Sequence, residues 1–189
     1  MLKRAVLPLV LLLLSLLVVV LAWQNRQLRQ INASLADQMQ QARSAAHGPA
    51  LGSVPLPQVL HSTRQSRVDI GGPRATAQVL YFFSTACRYC LASMPQLQQI
   101  ASARGHSELV GVGLPPYQEL PAYADTHALR FPVAIDGKGD VARQYGIRVT
   151  PMLMVLAADG SVAYKHAGQL DAQTVQAVLA TLNPGSTTQ

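Results

Sequence analysis

The stretch that most restricts what this chain can fold into is residues 79–90, Val-Leu-Tyr-Phe-Phe-Ser-Thr-Ala-Cys-Arg-Tyr-Cys. Its first half continues an unbroken apolar run bounded by polar residues, which predicts a strand over 78–83 buried on both faces. Small residues end that strand. Leu91, Met94, Leu97 and Ile100 then recur at three-residue spacing, the mark of a helix with one face against a sheet. Cys87 and Cys90, the only cysteines in the chain, fall where the strand turns into the helix. A strand-to-helix junction of this kind belongs in an α/β frame, and the remaining sequence has to supply one.

It does so by alternation. Residues 67–70 suit a short edge strand before the Gly71-Gly72-Pro73 turn. The helix spans 90–103 and stops near Gly105, with a kink or restart expected at Pro95, because proline lacks the amide that an inner helical turn needs. A Val-rich strand follows at 108–114, ended by Pro115-Pro116, then a helix at 117–127 and a short strand at 131–135. A short helix at 141–145 comes next, after the turn at 136–140. Two strands, 152–156 and 162–166, flank Ala157-Ala158-Asp159-Gly160 as a hairpin. Asp171 caps a last helix whose inward face is Val175, Val178, Leu179 and Leu182. The order predicts a mixed central sheet with helices on both faces, in a domain spanning 66–184 and followed by a polar tail, 185–189. About 120 residues are enough for one core without a disulfide staple.

The chain before that domain is of another kind. Residues 5–23 carry no charge and are mostly Leu and Val. Nineteen such residues reach about 28 Å as a helix, enough for a bilayer core. Trp23 ends the run at interfacial depth. This predicts a signal anchor over 1–23 that crosses the membrane once. A signal peptide cleaved after Val20-Leu21-Ala22 is the alternative, disfavoured because the run exceeds the usual apolar core of such peptides. Lys3 and Arg4 flank one end and Arg26 and Arg29 the other, so charge alone leaves the orientation near balance. Residues 24–65 read as a stalk helix, with Leu28, Ile31, Leu35 and Ala42 at heptad positions interrupted by Gln38, and then a flexible linker through Pro57. The formal charge of +6 is concentrated here. Residues 1–65 hold six bases against Asp37 alone, whereas 66–189 hold nine against eight acids. That distribution favours an anionic lipid surface over nucleic acid, for which the domain shows no basic stripe interleaved with aromatics.

Two thiols at this spacing are compatible with zinc, a structural disulfide or a redox centre. A closed zinc site needs four ligands, and the five histidines are isolated along the chain and most of them read as surface residues. No metal and no cofactor are expected. A disulfide closing so small a loop restricts the unfolded chain little. At a helix start, unpaired amides and the positive dipole end stabilise a thiolate, and Arg88 adds charge in the same sense. Cys87 is therefore expected to be exposed and acidic, and Cys90, one turn in, to be buried and to resolve a mixed disulfide. Val149-Thr150-Pro151 is the second piece. A proline there has to start the 152–156 strand or sit in a turn.

Together, the strand, the Cys-x-x-Cys, the proline five residues beyond it and a late Val-Thr-Pro entering a hairpin resemble the thioredoxin fold. With the anchor, the Gly111-Val112 strand and the helical insertion before Phe131-Pro132, the chain is most similar to the membrane-anchored TlpA/ResA-like redoxins, over roughly residues 66–182. The resemblance implies a cis Pro151 against Cys87 and Cys90, with Thr150 offering backbone groups to an extended partner segment and Arg88 and Tyr89 shaping the site. It implies a thiol–disulfide oxidoreductase held on the bacterial inner membrane through residues 5–23, with its domain in the periplasm. The partners would be a cysteine-containing periplasmic client and a membrane redox protein. Three departures restrain it. Ala86 stands where relatives carry Trp, Tyr81 where thioredoxins bury an Asp, and Ser93 where cytochrome-maturation members place an acid. With neither carboxylate, the potential is expected to be more oxidising than thioredoxin's ~−270 mV. A non-catalytic docking domain and a peroxide-reducing redoxin are the other readings.

Overall fold

The computed structural model describes residues 2–104 and 109–183. Glu108, Gly105 and the tail 185–189 lie outside them, as do the side chains of residues 5–13. The chain divides into two compact units at Gln41/Ala42. The first is a helix, α1 (Leu2–Ala46), continuous through the expected anchor–stalk junction at Trp23 and running on into the second unit. Leu28, Ile31 and Leu35 on it are exposed. Among the described residues, no helix is long and apolar enough to cross a membrane. Residues 14–23, the described part of the apolar run, are too few for a bilayer core.

The second unit is built on seven strands: β1 (Gln58–Ser62), β2 (Arg67–Ile70), β3 (Gln78–Phe83), β4 (Leu109–Gly113), β5 (Val133–Ile135), β6 (Met152–Leu156) and β7 (Val162–Ala167). Their order across the sheet is β2-β1-β5-β4-β3-β6-β7. The central β3, β4 and β5 are parallel, while β1 and β6 run antiparallel to their neighbours on either side. Parallel neighbours need crossovers. These are α2 (Arg88–Ala92) with α3 (Met94–Arg104), and α4 (Leu120–Thr126); α5 (Asp140–Gln144) and α6 (Ala172–Leu182) complete the helices.

All six residues of β3 are buried, as the apolar run predicts. Alternation sends Val79, Tyr81 and Phe83 into the core shared with α3, α4 and α6. Leu80 and Phe82 go into the other, with Val141, Tyr145, Met152 and Met154. Gly111 and Gly113 of β4 leave room for neighbours: a Cβ at Gly113 would come within 2.4 Å of Leu120 Cδ1.

Two expectations are corrected. Residues 47–65 are not a linker. Residues 58–62 form β1, which pairs with both β2 and β5. The segment before it lies along the domain: the Gly52 amide donates to Val162 O at 2.8 Å and the Val162 amide to Ser53 O at 2.9 Å. Lys165 Nζ holds the carbonyls of His47 and Pro49, each at 3.0 Å. The domain thus begins well before residue 66. Nor do all the histidines lie on the surface, His166 being the exception. It is buried, with Nε2 3.1 Å from Gln169 O and Nδ1 3.4 Å from Thr174 Oγ1, tying β7 to the first turn of α6.

Candidate active site

The carboxyl end of β3 delivers the cysteines. Phe83 O takes the Leu114 amide at 2.8 Å, the last rung toward β4, and the chain then leaves the sheet. Ser84 Oγ donates to Pro115 O at 3.0 Å and Thr85 Oγ1 to Glu119 Oε2 at 3.0 Å, so the Cys loop is clasped by the segment leading into α4. Cys87 is the N-cap of α2, in extended conformation, and its Sγ accepts the Cys90 amide at 3.3 Å. The same Sγ donates to Thr150 O at 3.5 Å. Thr150-Pro151 is cis, and Pro151 is buried, its carbonyl taking the Gly168 amide at 2.8 Å. The two ends of the sequence motif, 63 residues apart, therefore meet at one sulfur.

Cys87 is half-buried rather than exposed, and Cys90 is fully buried; neither thiol is bridged. Their acidities separate. Burial pushes the Cys87 thiol up, but hydrogen bonds from Cys90, Thr150 and the Cys90 and Tyr89 amides outweigh it and leave it below the ordinary value. Burial, then the bond to Cys87, pushes Cys90 up to about 12. The lowering does not come from the sources expected. The helix that Cys87 caps, α2, has only five residues, too short for a large dipole. Arg88 turns to its neighbour, with Nη2 donating to the Tyr89 hydroxyl at 3.1 Å and Cζ 4.9 Å from that ring's centre. Both side chains are exposed on the rim beside Cys87.

The expected break near Pro95 is present and falls at Ser93, between α2 and α3, so that Pro95 occupies the first turn of α3, where its missing amide is not needed. Ser93 is buried. Its Oγ donates to Tyr89 O at 2.8 Å and accepts the Leu170 amide at 3.0 Å, so it ties the helix break to the loop before α6. Tyr81 is buried beneath the pair, and its hydroxyl donates to Cys90 O at 3.2 Å. Burial, and then the charge of Cys90, holds that phenol above its ordinary range.

Sequence reasoning missed two residues near the Cys loop, Glu119, which accepts from Thr85, and Tyr123, whose ring lies 5.7 Å from that of Phe83. Both come from the insertion between β4 and β5, and neither sits in a motif; only the fold brings that segment to the cysteines. Among the described residues, no cluster of three or more His, Cys, Asp or Glu is placed to hold a metal.

The AhpC/TSA family profile matches residues 60–165. The thiol-disulfide oxidoreductase ResA of Halalkalibacterium halodurans is 26% identical over 129 residues, 67% of this chain and 73% of that one. The sporulation thiol-disulfide oxidoreductase A of Bacillus subtilis is 25% identical over 115 residues, 57% of this chain and 70% of that one. Among solved structures, StoA from Bacillus subtilis superposes with a TM-score of 0.57 at 22% identity, covering 66% of this chain and 96% of that one. That likeness shows the fold.

Proposed function

The chain belongs to the AhpC/TSA family, and from that premise we propose that it is a thiol–disulfide oxidoreductase, with Cys87 as nucleophile and Cys90 as resolving thiol. The observation that carries this reading is the divided environment of the pair. Cys87 Sγ sits between the Cys90 amide and Thr150 O, at 3.3 and 3.5 Å, partly open to solvent, while Cys90 lies sealed beneath it. The thiolate is the attacking species in exchange, so the more acidic, more accessible sulfur attacks first and the buried one second. The names of the relatives, thiol-disulfide oxidoreductases, support the same chemistry.

The client is a cysteine pair on an extended segment of a secreted protein, laid beside Thr150 and cis-Pro151 and flanked by Arg88 and Tyr89. A membrane redox protein resets the pair. The charge-free run over 5–23, with basic residues at both ends, supports tethering of the domain to the bacterial inner membrane on its periplasmic side.

The test is catalysed exchange with a defined disulfide substrate such as insulin, followed with dithiothreitol as reductant. The full chain is expected to accelerate it, Cys87→Ser to abolish the acceleration, and Cys90→Ala to accumulate a mixed disulfide through Cys87. A wild-type rate no better than that of Cys87→Ser would sink the reading in favour of a docking domain. Turnover of hydrogen peroxide without disulfide exchange would move it to the peroxide-reducing class.

A further inference from the structure

Away from the cysteines, a hollow of about 310 Å³ opens between the β1–β2 turn and the segment leading from α4 into β5. Its floor is apolar: Leu129, Phe131 and Val133, each anchored in the core on that face of the sheet. The floor keeps its shape, because the Phe131 and Phe83 rings crowd over Gly111, where a Cβ would meet each at 3.1 Å. The walls are basic. Arg64 stands in one and Arg130 in the other, and both also border the open shelf outside, where Asp125 joins them. Arg64 is braced from behind. The Ser62 hydroxyl oxygen accepts the Arg64 and Ser66 amides at 3.1 and 3.2 Å, and the Thr63 amide donates to Val133 O at 2.8 Å. Arg130 follows the end of α4, where the Leu129 amide closes onto Ala124 O at 2.9 Å. The ion pairs among the described residues are Arg67–Asp69 and Arg143–Asp140, and neither Arg64 nor Arg130 joins one. A lone exposed arginine is ordinarily satisfied by water. Two brought to one hollow from distant parts of the chain repel each other unless an anion lies between them.

We propose that this hollow binds a small organic acid, its carboxylate held between Arg64 and Arg130 and its apolar body laid on Leu129, Phe131 and Val133. The walls select the head. Guanidinium planes pair with carboxylate and phosphate oxygens through parallel N–H donors. Two arginines and one Asp125 carboxylate leave a local charge of 2 − 1 = +1, which a carboxylate neutralises and a dianionic phosphate ester overshoots. The floor selects the body. An apolar surface with a few convergent polar groups is the usual make-up of a small-molecule site, and this volume stands at the lower end of such sites. It suits a single ring or a short branched chain better than a long acyl tail. None of the residues placed at the cysteine site lines the hollow, so the acid binds apart from the exchange chemistry, with no bond made or broken.

The probe is phenylacetate, titrated into the reduced full-length protein in a neutral detergent and followed by NMR of the backbone amides. It is expected to saturate with a Kd of about 1 mM, the strength so small a ligand supplies, and to move the amides of Arg64, Ser66, Arg130 and Phe131. Acetate, which lacks the body, and phenylacetamide, which lacks the charge, should each bind about tenfold more weakly or worse. Arg64→Gln and Arg130→Gln should each weaken phenylacetate about tenfold. Lys138→Gln, which removes an exposed charge outside the hollow, should leave its affinity unchanged. All three substitutions fall at exposed positions, so the amide spectrum of each variant should otherwise match wild type. Phenylacetamide binding as well as phenylacetate, tighter binding of phenyl phosphate, or equal weakening in Lys138→Gln would each overturn the proposal. So would shifts centred on Cys87 and Thr150, or a wild type that shows no saturation at all.

Discussion

At the scale of single residues, the site works by giving two chemically identical thiols different surroundings. Cys87, at the helix start, has amides and a neighbouring thiol to receive its negative charge; Cys90 has an apolar core around it. The consequence is readable in alkylation. Cys87 is lowered below its ordinary value, so its thiolate persists as pH falls until the folded value is passed; Cys90 stays a thiol until about pH 12. Iodoacetamide at neutral pH is therefore expected to modify Cys87 alone, with a midpoint below that of a free thiol, ~8.5. Unfolding in guanidinium should erase the difference, because both cysteines then share one solvent. Mass mapping of the labelled peptide over pH checks this, and equal labelling of both thiols in the folded chain would count against it. The sign carries into stability. A lowered folded value means the reduced protein gains from the Cys87 thiolate above the unfolded value and loses that gain as pH falls through the folded one. The stability difference between reduced wild type and Cys87→Ser should shrink as the solution is acidified, by chemical denaturation at matched pH.

At the scale of elements, what could be read in advance was what repeats locally. The buried run of β3, the hairpin of β6 and β7 and the last helix all announce themselves by period and turn residues, and all are present. The restart at Ser93 was foreseeable from Pro95 alone. β1 was not. Gln58-Val-Leu-His-Ser is short, has exposed and half-buried residues alternating through most of its length, and follows three prolines in nine residues, so nothing local marks it as a strand. Its partner β5 is more than seventy residues away, and non-local pairing leaves no periodic trace. The same holds at the site. The cysteines and Pro151 could be identified because each belongs to a motif, whereas Tyr123 and Glu119 acquire their places only when α4 crosses back over β4. That crossing needs close approach at β4, which makes Gly113 a sensitive position. A methyl there would sit 2.4, 2.6 and 3.1 Å from three carbons of Leu120, itself fully buried at the start of α4. Because Leu120 has nowhere to retreat, Gly113→Ala is expected to destabilise the domain by ~1–3 kcal/mol, the usual cost of overpacking. It should also slow exchange by shifting the segment through Glu119 that clasps Thr85. Urea unfolding with a parallel insulin assay measures both, and an unchanged midpoint would show that α4 yields freely.

At the scale of the whole molecule, the division of the chain into two units at Gln41/Ala42 decides how the protein can be cut. The apolar run at 5–23 predicts that the full chain stays with membranes through a carbonate wash and that a chain beginning at Gln24 is released; release of both would remove the anchor from the reading. Farther along, the sequence places the domain boundary at 66, while the sheet demands more. β1 lies between β2 and β5, so a chain beginning at Ser66 would leave β5 with a bare edge and β2 with no neighbour in the sheet. Val68 and Ile70, buried on β2, would lose the strand that holds them against the second core. The carbonyls of His47 and Pro49 would no longer meet Lys165, and Met152 and Met154 would lose the backbone at Gly48 that lies against their methyl ends. Bare edges template association between chains. A chain beginning at His47 is therefore expected to melt cooperatively, as a monomer, with exchange activity intact. One beginning at Ser66 should lose its cooperative transition and elute as aggregate, although it keeps both cysteines, cis-Pro151 and every helix of the domain. Circular dichroism melts and size-exclusion chromatography of the two truncations decide the matter. Equal melting points would mean that β1 and the segment before it merely rest on a domain that is complete without them.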